Sequence, residues 1–191
     1  MPWHKEIIAY DIASQEILWT NKDLTFLFAY KNIIYGFKHG FEERYFFSLD
    51  FMNGEIIEEI GNDFNKINIL QKQAESEENW DIYVYPKIFS NDGIDQRISD
   101  IIKAQTDNID IAGDVEYNIF NELLFFNYHK KILENKFENK FAAVDISSGK
   151  VLLSETLNAR ATSLFTDSFF VYKKYLFLLH EKNKVIIYKL E

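Results

Sequence analysis

The chain has 191 residues, enough for one domain or two small ones. Its 47% hydrophobic and 27% charged content excludes a disordered or fibrous class. Thirty acidic against 21 basic residues leave −9 at pH 7, a balance that disfavours phosphate backbones and hence nucleic acid. The absence of cysteine excludes disulfides, thiolate nucleophiles and cysteine-ligated metals.

From the N-terminus, Met1-Pro2-Trp3-His4-Lys5-Glu6 lacks a basic stretch followed by an apolar one, so a secretory signal is not expected and the cytoplasm is the default compartment. No apolar run reaches the roughly 18 residues of a membrane span. Short apolar-aromatic runs then recur between polar turns: Glu6–Tyr10, Leu24–Tyr30, Ile33–Phe37, Arg44–Leu49, Ile82–Tyr85, Leu123–Tyr128, Phe141–Val144, Phe169–Tyr172, Tyr175–Leu179 and Val185–Leu190. Their length suits strands, and aromatic residues, 17% of the chain, favour pleated surfaces. Asn53-Gly54 predicts a tight primed hairpin turn, and Ser148-Gly149 a weaker one.

Three segments share a pattern. Asp11, Asp50 and Asp145 each lie between apolar residues; four positions later come Gln15, Gly54 and Gly149, then Glu16, Glu55 and Lys150, and then an apolar pair. Longer units also superimpose: Phe26–Ile57 and Tyr117–Leu153 each read as four antiparallel strands, the pattern of a propeller blade. In these residues the chain resembles the quinoprotein-like (PQQ-like) β-propeller repeat, whose blades often end apolar-Asp-x-x-x-Gly-x-x-x-Trp. Asp50 with Gly54 and Asp145 with Gly149 match its first part. Asp11 with Trp19 matches its ends, and Glu58 and Leu153 stand where Trp would. The resemblance implies a scaffold of the cofactor-free type, whose members mostly serve as interaction platforms; the quinone chemistry, which there involves a cysteine pair, does not carry over.

The segment Asn62–Gly113 fits the pattern least. Ile94, Ile98, Ile101 and Ile102 have helical spacing, leaving Asp95–Gln105 as either a short helix or part of a distorted blade. The acidic Glu75–Glu78 reads as a loop. Asn91-Asp92-Gly93-Ile94-Asp95 and Asp107–Asp114 lack the ligand order of a calcium loop.

Candidate chemistry is sparse. His39, His129 and His180 lie near the ends of corresponding runs and define a conceivable ligand face, but no histidine pair has metal-ligand spacing. His180 is also one residue out of step, which would turn it to the opposite face. The repeated aspartates read as acceptors of backbone N–H groups within their own turns. The expectation is an all-β protein, a single propeller-like domain over residues 1–191 with about four antiparallel four-stranded blades. Its expected role is a non-catalytic interaction or scaffold module for a protein or peptide, with no cofactor, metal or catalytic residue. The alternatives are a carbohydrate-active hydrolase or lyase using carboxylates such as Asp81, Asp92 or Asp95, and a fragment of a larger propeller.

Overall fold

A computed structural model describes residues 6–79, 82–90 and 93–190. The chain divides into two compact units, Met1–Asn79 and Trp80–Glu191, each with its own core.

In the first unit, β1 (Ile7–Asp11) and β2 (Glu16–Asn21) form an antiparallel ribbon. Strands β3 (Thr25–Tyr30), β4 (Ile33–His39), β5 (Arg44–Asp50) and β6 (Ile56–Gly61) form a four-stranded antiparallel meander. Alternation puts Ile34 and Leu49 on one face with Ile7, Leu24 and Trp19, and Tyr35, Phe37 and Phe46 on the other. Helix α1 (Phe64–Glu77) packs Ile67 and Leu70 on the second face. Asp63 caps it, its carboxylate accepting from Lys66 N.

In the second unit, β9 (Ile111–Phe120), β10 (Leu123–Leu133), β11 (Lys136–Asp145) and β12 (Val151–Ala161) form another meander, extended by the short β8 (Lys87–Ile88). Strands β13 (Phe169–Tyr172), β14 (Tyr175–His180) and β15 (Lys184–Lys189) form the last sheet, joined at β13 by β7 (Tyr83–Val84). Phe125, Phe141 and Leu157 of the first of these sheets pack against Phe169, Val171 and Leu178 of the second. Helix α2 (Gln96–Thr106) covers the opposite face, with Ile98 and Ile102 against Leu124, Phe126 and Val144.

The all-β expectation is met by the sheets and modified by two helices. Asp95–Gln105 is helical almost as the isoleucine spacing marks it, one of the two readings left open. Helix α1 was not anticipated, and it overturns the loop reading of Glu75–Glu78: Glu75 and Glu77 lie in its last turn, Glu77 accepting from Tyr30 Oη at 2.6 Å. Among the described residues the sheets hold two, four, five and four strands rather than four each, and none closes on itself.

The Asn53-Gly54 expectation also needs correction. The loop spans four residues, since Asp50 N donates to Glu55 O and Gly54 N to Asp50 O. Only Gly54, at φ +73°, has positive φ, whereas a type I′ turn needs two such residues. Lys150 O and Asp145 O close the Gly149 loop in the same way. The two-residue turn with both residues at positive φ is Lys31-Asn32, between β3 and β4.

Candidate functional site

The repeated aspartates occupy three equivalent turns. Asp11 Oδ1 accepts from Ala13 N and Ser14 N, Asp50 Oδ1 from Met52 N and Asn53 N, and Asp145 Oδ1 from Ser148 N and the Ser147 and Ser148 hydroxyls. The fourth residue onward donates to the aspartate carbonyl at 2.8–2.9 Å and takes positive φ: Gln15 at +61°, Gly54 at +73°, Gly149 at +71°. At Asp11 and Asp145 these bonds favour the charged carboxylate. The serine hydroxyls, then the Ser148 N–H, hold Asp145 down to about 2, and the Ser14 and Ala13 N–H groups lower Asp11.

The residue after Asp50 and the residue after Asp145 each tie their strand back to the first turn of the sheet. Phe51 N donates to Asn32 O and Ile146 N to Glu122 O; Leu190 N donates likewise to Lys174 O. The last bond aligns Lys189 with Asp50 and Asp145, an equivalence hidden in the sequence because the carboxylate is absent. Register agrees: Ile33 pairs with Asp50, Leu123 with Asp145 and Tyr175 with Lys189.

Eight positions after each aspartate lies a residue that meets another part of its unit. Trp19 lies over Gly54, where an added Cβ would sit 2.5 Å from the indole, and its Nε1 donates to Phe51 O at 3.0 Å. Glu58 pairs with Lys66 of α1 at 2.6 Å. Leu153 packs on the core shared with β13 and β14.

The three histidines are divided between the two units. His39, in the first unit, is exposed at the end of β4 beside the Phe37 ring. His129 is buried at 4% exposure in β10, and His180 is half-buried at the end of β14. The register gives His39 and His129 the same offset from the strand start and leaves His180 one residue short, on the other face of its sheet. Among the described residues no three His, Cys, Asp or Glu side chains converge as a metal-binding group. Asp95 caps α2, accepting from Arg97 N, while Asp81, Asp92 and His4 lie outside the described residues.

Two features were not foreseen. The first is a buried polar cluster in the second unit. Glu116 and Asn118 on β9, Asn127 and His129 on β10 and Asn139 on β11 are each at most 7% exposed. They share the face that carries Phe125 and Phe141, because Glu116 pairs directly with Asn127, and Asn139 with His129. Asn127 Nδ2 donates to Asn139 Oδ1 at 3.2 Å, and Asn139 Nδ2 to Ser168 Oγ at 2.6 Å. The connection 162–168, between β12 and β13, lies across the cluster. Asp167 N donates to Glu116 Oε1, Phe165 sets its ring edge-on to His129 at 4.9 Å, and Leu164 fills the space above Gly113. Burial raises the Glu116 carboxyl above its ordinary value, against the Asp167 N–H; burial and then Lys182 lower the His129 imidazole. The sequence signal is faint: polar residues at Glu116, Asn118, Asn127 and His129 within otherwise apolar strands.

The second is the tip of the β4–β5 hairpin. Phe41 is fully exposed between Gly40 and Glu42-Glu43, with Tyr45 and Phe64 nearly half exposed nearby. His39, Arg44 and Asn62 line a depression of about 500 Å³ beside it.

No family model, no curated protein and no solved structure matches this chain. Among the described residues no helix is long and apolar enough to cross a membrane.

Proposed function

We propose that the sheets are blades of a cofactor-free, propeller-like array related to the quinoprotein-like repeat, and that the protein is a non-catalytic interaction module. The equivalent registers, the three aspartate turns and the seating of Trp19 on Gly54 support the blade reading. The aspartates the repeat singles out are engaged in their own turns, which favours scaffold over catalysis.

Phe41 carries the functional half of the proposal. A phenylalanine wholly in water at a hairpin tip forgoes burial that its ring would gain in a partner's pocket. Glu42 and Glu43 beside it favour a protein partner whose apolar pocket has a basic rim. Selection from a displayed peptide library tests this. Enriched peptides should combine an apolar pair with Lys or Arg, and Phe41→Ser should weaken them about tenfold or more, as loss of a hot-spot aromatic does, with unchanged circular dichroism. Enriched peptides that bind Phe41→Ser as tightly, or that are acidic, would overturn the proposal.

A further inference from the structure

We propose that the outer edge of β15 binds an extended, acidic and apolar segment of a partner protein as an added antiparallel strand. Strand pairing makes β13, β14 and β15 the counterparts of β3, β4 and β5, and of β9, β10 and β11. The first two of these sheets continue into β6 and β12, whereas β15 ends its own, and among the described residues no strand pairs beyond it. The bonding groups on that edge have known positions. Leu190 N donates inward to Lys174 O, so alternation turns the N–H and C=O of Val185, Ile187 and Lys189 outward. Asp50 N and Asp145 N, equivalent to Lys189 N, donate to Glu55 O and Lys150 O at the start of the fourth strand. A row of unpaired main-chain groups is a template for one more strand.

The chain's own strands show what fits such an edge. In β2, β6 and β12 the register shifts at one point, leaving Leu18, Ile57 or Leu152 as the extra residue of a bulge. Two of these strands begin Glu16-Ile17-Leu18 and Glu55-Ile56-Ile57, acidic and then apolar. Charge selects that form for β15. Lys189 stands where the other sheets carry aspartate, Lys184 stands at the far end, and residues 169–190 hold five lysines against one glutamate in a chain of net charge −9. Val185, 55% exposed, offers apolar contact between them. The same lysines disfavour a second copy. Antiparallel pairing of two β15 edges would bring Lys184 of one copy beside Lys189 of the other, and like charges across strands are destabilising.

The test titrates the full chain with a blocked synthetic peptide, Gly-Glu-Ile-Ile-Glu-Glu-Ile-Gly, the sequence of residues 54–61. Saturable binding is expected, with amide exchange at Val185, Ile187 and Lys189 slowed at least about tenfold. Lys189→Glu, at an exposed position, should weaken the peptide about tenfold. Val185→Pro removes an outward N–H that β14 does not use and should weaken it as much. If that variant fails to fold, Lys189→Glu decides. No binding up to about 1 mM peptide, protection confined to other strands, or equal affinity for Lys189→Glu would overturn the proposal. Dimers in sedimentation whose β15 amides are protected without peptide would give the edge to a second copy and refute it.

Discussion

Gln15, Gly54 and Gly149 occupy one backbone state, yet only two of them are glycine. An L side chain in the left-handed region costs about 1 kcal/mol, so Gln15→Gly should raise stability by about 0.5–1 kcal/mol in urea unfolding despite the added chain entropy. Gly54→Ala should do the reverse and by more, because its Cβ would meet the Trp19 indole at 2.5 Å as well as strain the backbone. Asp145 contributes through pH. Its carboxyl is held at about 2 against an ordinary 3.8. Its stabilisation is therefore complete above the unfolded value and is lost as pH falls through about 2. An NMR titration should place its midpoint there, and Ser147→Ala combined with Ser148→Ala should move the midpoint towards 3.8. These roles were largely legible in the sequence, because an Asx-type turn writes both its carboxylate and its left-handed residue into the chain. Lys189 was not, since the equivalence there survives only as the bond from Leu190 N to Lys174 O.

At the level of elements, sheets were easier to read than what covers them. Strand runs announce themselves by period two, and most begin within a residue or two of the observed strands. Helix α1 hid because Ile67 is its only fully buried residue, and its second half, Gln71–Glu77, is polar. The polar cluster hid for a different reason. A buried Asn reads as an exposed one until β10 is known to have sheet or helix on both faces. The β1–β2 ribbon meets the β3–β6 sheet through Ile7 in the core and through Trp19. Trp19→Phe keeps most of the ring over Gly54 and removes the donor to Phe51 O, so a loss of about 1 kcal/mol is expected, read from denaturant midpoints at constant m-value. On the other unit, Arg97 of α2 donates through Nε to Ile146 O and through Nη2 to Ser147 O. Arg97→Ala should speed amide exchange in α2 before it affects β10 or β11.

For the whole molecule, each unit contains complete apolar clusters. Those around Phe125 and around Leu124 draw every member from the second unit. A chain of residues 80–191 should therefore fold alone, giving a β-type circular dichroism spectrum and a cooperative thermal transition. Within it, Leu124→Ala, at a fully buried position, should cost about 2–5 kcal/mol. A non-cooperative melt of 80–191 would mean that its clusters need the first unit. In the sequence the strand pattern continues on both sides of Asn62–Gly113, and periodicity carries no mark of where one core stops and another starts.

The residue following the repeated aspartate has a main-chain oxygen that two unrelated side chains have found: the Trp19 indole reaches it at Phe51, and the Arg97 guanidinium at Ile146. A carbonyl is the same whatever residue bears it. The socket is therefore indifferent to mutation at Phe51 or Ile146, and a plug can be exchanged for another donor of suitable reach while the turn stays as it is. Repeats joined in this way can drift apart in sequence without losing their fastening, and an engineer could splice a foreign hairpin onto such a turn by supplying one indole or guanidinium at the right height.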